Sequence, residues 1–253
     1  MRVLSLGWGV QSFTLAAMSA LGEIERVYAA IHADTKHEAS GTYAFAEKWL
    51  AWLEDNGVRV ETVRPEKSEI VTDRVGGKIF IPAFTYTSSR AGGMLRRQCT
   101  QRWKIAPIRR WLQANRNGER VEQWVGITTD EAMRMKDSDV KYITNRWPLI
   151  EKRMSRRDCV LWLRAHDLPI PPKSACVFCP FHDTKMWHDM KKNGDGDWQK
   201  AIETDERIRK ARPPYDLYLH PSREPLASVN FDTAEELGQL NLWNNECEGI
   251  CGV

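Results

Sequence analysis

Six cysteines are the residues of this 253-residue chain whose chemistry is most evident. Cys176 and Cys179 are separated by two residues, a spacing at which two thiolates can bind one metal ion or one iron–sulfur cluster. A zinc site would recruit His182 or His188 from the same segment, whereas an iron–sulfur cluster would draw on more distant cysteines. The spacing predicts ligation and leaves the metal open, and a buried pair without a ligand is the remaining interpretation.

A second pair of cysteines, Cys247 and Cys251, lies close to the last residue of the chain. Thiols on a mobile segment can attack a bound substrate and then be reduced, so one interpretation is a redox arm. The other is a terminal tail without a function of its own. We expect residues 241–253 to form this tail.

The first residues of the chain have the pattern of a phosphate site. Val3 and Leu4 predict a strand, Gly7 and Gly9 permit a tight turn, and Ser12 lies where a helix is predicted to begin. A turn of this kind directs backbone N–H groups and the positive end of a helix dipole toward one point, which suits a phosphate.

Apolar runs with strand character alternate with helical patterns over the first part of the chain. Arg26–Asp34 and Val121–Thr128 are predicted strands, and Thr42–Asn56 and Arg102–Asn115 are predicted helices. Strands separated by helices predict a doubly wound α/β fold with a mostly parallel sheet, whose ligands bind at the carboxyl ends of the strands. Beyond Tyr142 the sequence predicts helices and loops.

The charged residues favour an anionic ligand through their distribution, since the net charge is only +3. Basic residues cluster in two stretches: Arg90, Arg96, Arg97, Arg102, Lys104, Arg109 and Arg110, and then Lys152, Arg153, Arg156 and Arg157. Such clusters suit nucleotides, sulfate esters or nucleic acid, and solvated helix faces explain them equally well. Neither a membrane span nor a signal peptide is predicted, so we expect a cytoplasmic protein with no membrane partner.

The glycine turn resembles the phosphate loop of the PP-loop ATP pyrophosphatase superfamily, which has the form Ser-Gly-Gly-x-Asp-Ser. The segment that corresponds here is Gly7-Trp-Gly-Val-Gln-Ser12, which keeps Gly9 and Ser12. It differs at Gly7, Trp8 and Gln11, where the family has Ser, Gly and Asp. A Gly-Gly-Gly-Val-Gln-Ser loop, found in phage-associated members of the phosphoadenylyl-sulfate reductase-like branch, is closer.

Other segments resemble the same branch in the same order along the chain. Asp34-Thr35 is similar to its Asp-Thr-Gly segment, with Lys36 in place of the glycine. Gly126-Ile-Thr is similar to a Gly-Ile-Arg loop near the phosphates, and Glu246-Cys247 is similar to the Glu-Cys-Gly tail of the reductases.

The resemblance implies a PP-loop nucleotide-binding domain over residues 1–145 and a helical cluster-binding region over residues 146–240. It implies that ATP or adenylyl sulfate binds to Gly7, Gly9, Gln11, Ser12, Asp34, Thr35 and Gly126, with Asp34 orienting the ribose or binding Mg²⁺. It assigns the chemistry to Arg97 and Lys104, which would neutralise charge, and to Cys247 and Cys251.

The resemblance also implies a 4Fe-4S cluster. The segment from Cys99 to Pro107 is similar to the Cys-Cys-x-x-x-Lys-Val-x-Pro-Leu segment of adenylyl-sulfate reductases, but Thr100 replaces the second cysteine. Cys99, Cys176 and Cys179 would then be ligands, with Cys159 as the candidate fourth. The alternative is a cluster with three cysteine ligands and one open iron, the arrangement that carries sulfur in tRNA-thiolating relatives.

Three functions follow from these observations. The first is adenylation-linked sulfur transfer to a nucleic acid or small molecule, supported by an iron–sulfur cluster. The second is thiol-dependent reduction of (phospho)adenylyl sulfate, and the third is a zinc-stabilised module that binds nucleic acid. The expected partners are a nucleotide, a nucleic acid, a thiol reductant or sulfur donor, and a second copy of the chain.

Overall fold

The computed structural model describes residues 1–71, 78–87, 92–193 and 196–232. These residues form seven strands, numbered in chain order: β1 (Arg2–Ser5), β2 (Ala29–Ala33), β3 (Val60–Val63), β4 (Phe84–Tyr86), β5 (Val121–Val125), β6 (Ile143–Arg146) and β7 (Asp216–Tyr218). They form seven α-helices: α1 (Val10–Ala20), α2 (Ser40–Asp55), α3 (Ala106–Asn115), α4 (Pro148–Glu151), α5 (Arg156–Ala165), α6 (Thr184–Asn193) and α7 (Asp197–Ile208).

The chain divides into two compact units that each draw on two segments. The first comprises Met1–Ser68 and Thr100–Ala175, and the second comprises the described parts of Glu69–Cys99 and Cys176–Val253. The predicted boundary at residue 145 differs from this division. Helix α5 belongs to the first unit because the buried side chains of Cys159 and Leu163 join the core of α1 and the sheet.

Five parallel strands form the sheet of the first unit, in the order β3-β2-β1-β5-β6. Leu4 of β1 pairs with Ala30 on one side and with Trp124 on the other. The direction in which strands are added reverses between β1 and β5, which confirms the predicted doubly wound α/β fold. Ligands of such sheets bind at this reversal, beyond the carboxyl ends of the strands.

Two apolar layers cover the sheet because its strands carry apolar side chains on both faces. On one face Leu4 and Trp124 pack with Phe13 of α1 and Leu53 of α2. On the other face lies a smaller cluster of Val3, Ala29, Ile31, Ala33, Ile108, Leu112, Val121 and Ile143. Helices therefore cover both faces of the sheet.

The second unit contains the antiparallel pair β4–β7 and the helices α6 and α7. Its core includes Trp187 and Phe231, whose ring centroids are 6.2 Å apart. Asp205 of α7 is buried and accepts hydrogen bonds from the backbone N–H groups of Leu219 and Leu226. This carboxylate therefore ties the chain after β7 to the helix.

Among the described residues, none of the helices is both long enough and apolar enough to span a bilayer.

Candidate nucleotide site

The turn after β1 leads directly into the first residue of α1. The N–H of Gly7 donates to Oγ of Ser12 at 3.1 Å, and that hydroxyl donates to the carbonyl of Gly9 at 3.3 Å. The hydroxyl of Ser12 therefore stabilises the turn through hydrogen bonds to both of its glycines. The N–H groups of the first helical turn have no acceptor within the helix, and no side chain caps α1 at Gly9, so these donors are available to a ligand.

Trp8 holds the centre of this turn in a left-handed conformation, with φ of 57°. A residue with a Cβ is strained there by about 1–2 kcal/mol. Its indole is 2% exposed and lies 6.4 Å from the ring of Phe13 and 6.3 Å from that of Phe45. Burying an indole removes about 150 Å² or more from water, which at about 25 cal/mol per Å² outweighs the strain. The tryptophan thus anchors the turn to the core.

Gly126, the residue after β5, lies against the same turn. A Cβ at this position would be 2.9 Å from the backbone nitrogen of Ser12 and 3.1 Å from the carbonyl carbon of Gln11. Both contacts are with backbone atoms that cannot rotate away. The predicted site residues Gly7, Gly9, Gln11, Ser12 and Gly126 are therefore brought together where β1 and β5 end.

An acidic side chain that the sequence did not single out faces this turn. Nε2 of Gln11 donates to Oε2 of Glu131 at 3.4 Å, and Oε1 of Glu131 accepts from Arg134 at 2.6 Å. Glu131 lies on the 3-10 helix Thr129–Arg134, which follows the Gly126 loop. The carboxylate thus lies beside position 11, the position at which the resembling family loop carries its aspartate.

The segment after β2 is organised around Asp34. Its Oδ1 accepts from the N–H of Lys36 at 2.8 Å and from the hydroxyl of Tyr43 at 2.9 Å, and its Oδ2 accepts from Arg64 at 3.0 Å. Burial acts to raise the pKa of Asp34, but these hydrogen bonds and the adjacent guanidinium outweigh it, so the pKa lies below its ordinary value. Asp34 is ionised at neutral pH, and both its oxygens are engaged within the protein.

Lys36 occupies the position where the resembling segment has glycine. Its φ of 65° lies in the left-handed region, which glycine adopts most easily. Thr35, the other predicted residue of this segment, is 1% exposed, and its hydroxyl accepts from the N–H of His37 at 3.2 Å. The hydrogen bonds from Lys36 to Asp34 and from His37 to Thr35 each span two residues and close the turn.

Lys104 forms an ion pair that the sequence did not predict. Its Nζ donates to Oε1 of Glu38 at 2.8 Å, and the hydroxyl of Ser174 donates to the other carboxylate oxygen at 3.2 Å. The side chain of Glu38 is 1% exposed and that of Lys104 is 37% exposed. A buried carboxylate thus holds a half-exposed ammonium group. The sequence feature that could have identified Glu38 is its position four residues after Asp34.

A pocket of about 260 Å³ opens beside the ends of β2 and β3. It is lined by Trp8, His32, Asp34, Tyr43, Ala46, Glu47, Leu50, Thr62 and Arg64. Nδ1 of His32 lies 3.2 Å from the carbonyl of Leu6, and burial lowers the pKa of His32, so the ring is neutral at pH 7. The pocket therefore combines an apolar floor with an ion pair between Asp34 and Arg64 at its rim.

Three of the predicted metal ligands, Cys99, Cys176 and Cys179, belong to the second unit and are half-buried. Cys176 and Cys179 close a turn in which the N–H of Cys179 donates to the carbonyl of Cys176 at 3.0 Å. Within residues 1–71, 78–87, 92–193 and 196–232, no group of three or more His, Cys, Asp or Glu side chains is arranged to hold a metal ion.

The fourth predicted ligand, Cys159, lies in the apolar core of the first unit and is fully buried. Burial raises the pKa of its thiol to about 12. Since metals bind the thiolate, these surroundings oppose ligation by Cys159 and favour its role as a small core residue.

The remaining predicted catalytic residues are placed only in part. The guanidinium of Arg97 lies over the ring of Phe181, 5.7 Å from its centroid, within the second unit. Cys247 and Cys251 lie outside the described residues.

Comparison with known proteins gives a structural likeness and no family. No protein-family profile matches the chain, and no curated protein matches its sequence. A solved structure that it resembles is the phosphoadenylyl-sulfate (PAPS) reductase of Candida auris in its phosphate complex, with a TM-score of 0.45 and 12% sequence identity. The match covers 67% of this chain and 74% of the reductase chain.

Proposed function

We propose that the first unit binds the phosphates of an adenine nucleotide at the N-terminus of α1. The observation that carries this proposal is the packing of Gly126 against the backbone of Ser12. It places the uncapped first turn of α1 at the point where the strand order reverses, which is where doubly wound sheets bind ligands. The Asp34 segment and the adjacent pocket supply polar groups at the same edge of the sheet.

The reaction we propose is adenylation linked to sulfur transfer. An oxygen of the acceptor attacks the α-phosphorus of ATP, the bond to the bridging oxygen breaks, and pyrophosphate leaves. A sulfur nucleophile then displaces AMP from the adenylated carbon. The N–H groups of α1 stabilise charge on the phosphates, and Lys104, oriented by Glu38, provides a positive charge for the same anion.

An iron–sulfur cluster is part of this proposal, with Cys99, Cys176 and Cys179 as its protein ligands. The three thiols are half-buried and belong to one compact unit, whereas Cys159 is enclosed in the core of the other. A cubane cluster with three cysteine ligands would leave one iron open to bind sulfur. Because no three side chains of the described residues are arranged around a common metal position, the support for this cluster is the resemblance of the sequence and not the geometry.

Thiol-dependent reduction of adenylyl sulfate is the second candidate. Gln11 favours it, because the loop itself carries no carboxylate and its amide is paired with Glu131. A reductase binds a sulfate that is already adenylated, so it needs no metal-assisted cleavage of ATP. In that case a cysteine of the tail, Cys247, would attack the sulfur and release AMP.

Calorimetric titration of ATP and of adenylyl sulfate tests the site, with Gly9→Asp as the diagnostic variant. Gly9 has the extended backbone of a helix N-cap, with φ of −93° and ψ of 172°. An aspartate there caps α1 and stabilises it by about 1 kcal/mol, while its carboxylate occupies the donors and repels phosphate. We expect a higher melting temperature together with at least tenfold weaker nucleotide binding.

The matched control is Gly41→Ala, a helical position in α2 with ordinary room for a methyl group. It should leave the nucleotide affinity unchanged. Equal affinities in Gly9→Asp and wild type would refute the site. If the site holds, pyrophosphate release from ATP would support adenylation, and sulfite release from adenylyl sulfate that is lost in Cys247→Ser would support the reductase.

A further inference from the structure

Helix α5 and the turn before it carry a strip of positive charge that the proposed nucleotide site does not use. All members of this strip, which we call the α5 basic strip, are exposed: Lys152, Arg153, Arg156, Arg157 and Arg164. Within the described residues none of the five forms an ion pair. Cations left unpaired on a surface are available to an external anion.

Part of this strip lies on the solvent-facing side of α5. Cys159 and Leu163 face the core, so Arg157, Leu161 and Arg164 lie on the opposite side of α5 at helical spacing. The one carboxylate within α5, Asp158, accepts from the N–H and the hydroxyl of Ser155 in a capping box. Its charge is therefore directed at the helix end.

The strip begins next to the phosphate-binding turn. The N–H of Arg156 donates to Oδ2 of Asp130 at 2.6 Å, and the neighbouring residue Glu131 accepts from Gln11 of the turn. The N–H of Thr129 also donates to the carbonyl of Met154 at 3.0 Å. These contacts hold the start of α5 against the loop that borders the nucleotide site, all within the first unit.

We propose that the α5 basic strip binds the phosphodiester backbone of a nucleic acid and that this nucleic acid is the acceptor of the reaction. The acceptor role rests on the proposed function, whereas binding to the strip does not. Four of the five cations are arginines, whose planar guanidinium groups bind phosphate with two parallel hydrogen bonds. A strand held here would extend from the helix toward the turn that binds ATP.

The composition of this face favours a nucleic acid over other anionic partners. Its one large exposed apolar side chain is Leu161, because the apolar face of α5 is already buried in the core. A membrane surface would need an apolar helix face to insert, and a protein partner would need a larger apolar or aromatic centre. Phosphodiester binding needs only the charges.

Fluorescence anisotropy with a labelled 20-nucleotide single-stranded RNA tests binding to the strip. The same measurement with DNA of the same sequence shows whether the affinity depends on ribose. Five backbone contacts predict a slope of log K against log salt of about −3.5 for a single strand. Arg156→Gln/Arg157→Gln should reduce that slope to about −2 and weaken binding roughly tenfold in 0.1 M salt. Glutamine keeps the helix propensity of arginine, so α5 should persist.

The control is Arg120→Gln/Lys141→Gln, which removes the same charge from two exposed residues next to the opposite edge of the sheet, where β5 and β6 begin. Equal losses in the two double variants would refute the strip as the site, and so would no binding by wild type in 0.05 M salt. Tighter binding to polyglutamate or to phosphatidylserine vesicles than to the RNA would refute the partner.

ATP titration of the same proteins separates the two proposals. We expect Arg156→Gln/Arg157→Gln to bind ATP like wild type. Wild-type protein that binds the RNA but not ATP would refute the nucleotide site and the acceptor role together, while leaving the strip as a nucleic-acid surface.

Discussion

Gly126 and Ser12 approach each other so closely that no side chain fits between them. A Cβ at position 126 would lie 2.9 Å from the backbone nitrogen of Ser12, although the two residues are 114 positions apart in the sequence. This contact joins the end of β5 to the first turn of α1. The site therefore depends on a steric relation between a strand and a helix that are far apart in the sequence and meet only in the folded protein.

Gly126→Ala should displace the first turn of α1 and weaken binding of ATP at least tenfold. The added methyl group meets backbone atoms, so we also expect a loss of about 1–3 kcal/mol in the free energy of unfolding. Calorimetric titration and urea unfolding measure the two effects. Gly41→Ala is the control, since its Cβ would have 4.0 Å to the nearest atom. Unchanged ATP binding in Gly126→Ala would mean that the turn does not hold the phosphates.

Much of the first unit could be predicted from the sequence because its elements carry strong local patterns. The apolar runs of β1, β2 and β5 and the helical periods of α2 and α3 identified those elements and the parallel sheet. The edge strand β6 was missed, since Ile143 is its one apolar residue and the backbone pairing with β5 defines it. The pair β4–β7 was missed because it is defined by pairing between segments that lie far apart along the chain.

The site shows the same division between local and long-range information. The glycines and Asp34 belong to short motifs and were predicted, whereas Glu38 and Glu131 acquire their roles from partners 66 and 120 residues away. Cys159 was predicted as the fourth ligand because Thr100 replaces the second cysteine of the resembling segment, and the sequence did not show that Cys159 is buried. Its position on the core face of α5 becomes evident once Leu163 and the capping box set the phase of the helix.

Lys104→Met should destabilise the protein more than Glu38→Gln does. The methionine variant leaves the carboxylate of Glu38 buried without its cation, and an unpaired buried charge costs about 3 kcal/mol or more. The glutamine variant leaves a neutral amide at the same place and an ammonium group that can reach water, so we expect a cost nearer 1 kcal/mol. Urea unfolding at pH 7 measures both.

Lys104→Arg is the control for this pair, because it keeps the charge and most of the length of the side chain. We expect it to lie between wild type and Lys104→Met. If Glu38→Gln were the more damaging change, the ammonium group rather than the carboxylate would be the desolvated partner.

The contribution of His166 to stability should fall as the pH rises. Its Nδ1 lies 2.8 Å from the carbonyl of Trp162 and its Nε2 lies 2.7 Å from Oε1 of Glu23. The backbone hydrogen bond to Trp162, and then Glu23, raise the pKa of His166 above its ordinary value. The stabilisation is therefore complete below the unfolded pKa of about 6.5 and is lost as the pH passes through the higher folded pKa.

Urea unfolding of wild type and His166→Gln at pH 6 and pH 9 checks this sign. The difference in the free energy of unfolding between the two proteins should be larger at pH 6. Glu23→Gln should reproduce the trend, because it removes the acceptor of the charged form. A difference that is equal at both pH values, or larger at pH 9, would contradict a protonated His166 in the folded chain.

Replacing Cys159 should leave the iron content of the protein unchanged. Its thiol is fully buried among apolar side chains, and burial raises its pKa to about 12, so almost no thiolate forms at neutral pH. We expect Cys159→Ala to bind as much iron and sulfide as wild type after anaerobic reconstitution, at a cost of about 1 kcal/mol in stability. Colorimetric iron and sulfide assays per chain measure this.

The same assays on Cys176→Ala provide the matched comparison, because this thiol is half-buried and belongs to the proposed ligand set. We expect most of the iron to be lost from that variant. Loss of iron in Cys159→Ala with normal unfolding behaviour would restore Cys159 as a fourth ligand and remove the open iron on which the sulfur-transfer function depends. Stoichiometric zinc without sulfide in wild type would instead identify the Cys176–Cys179 turn as a structural zinc site and exclude the cluster altogether.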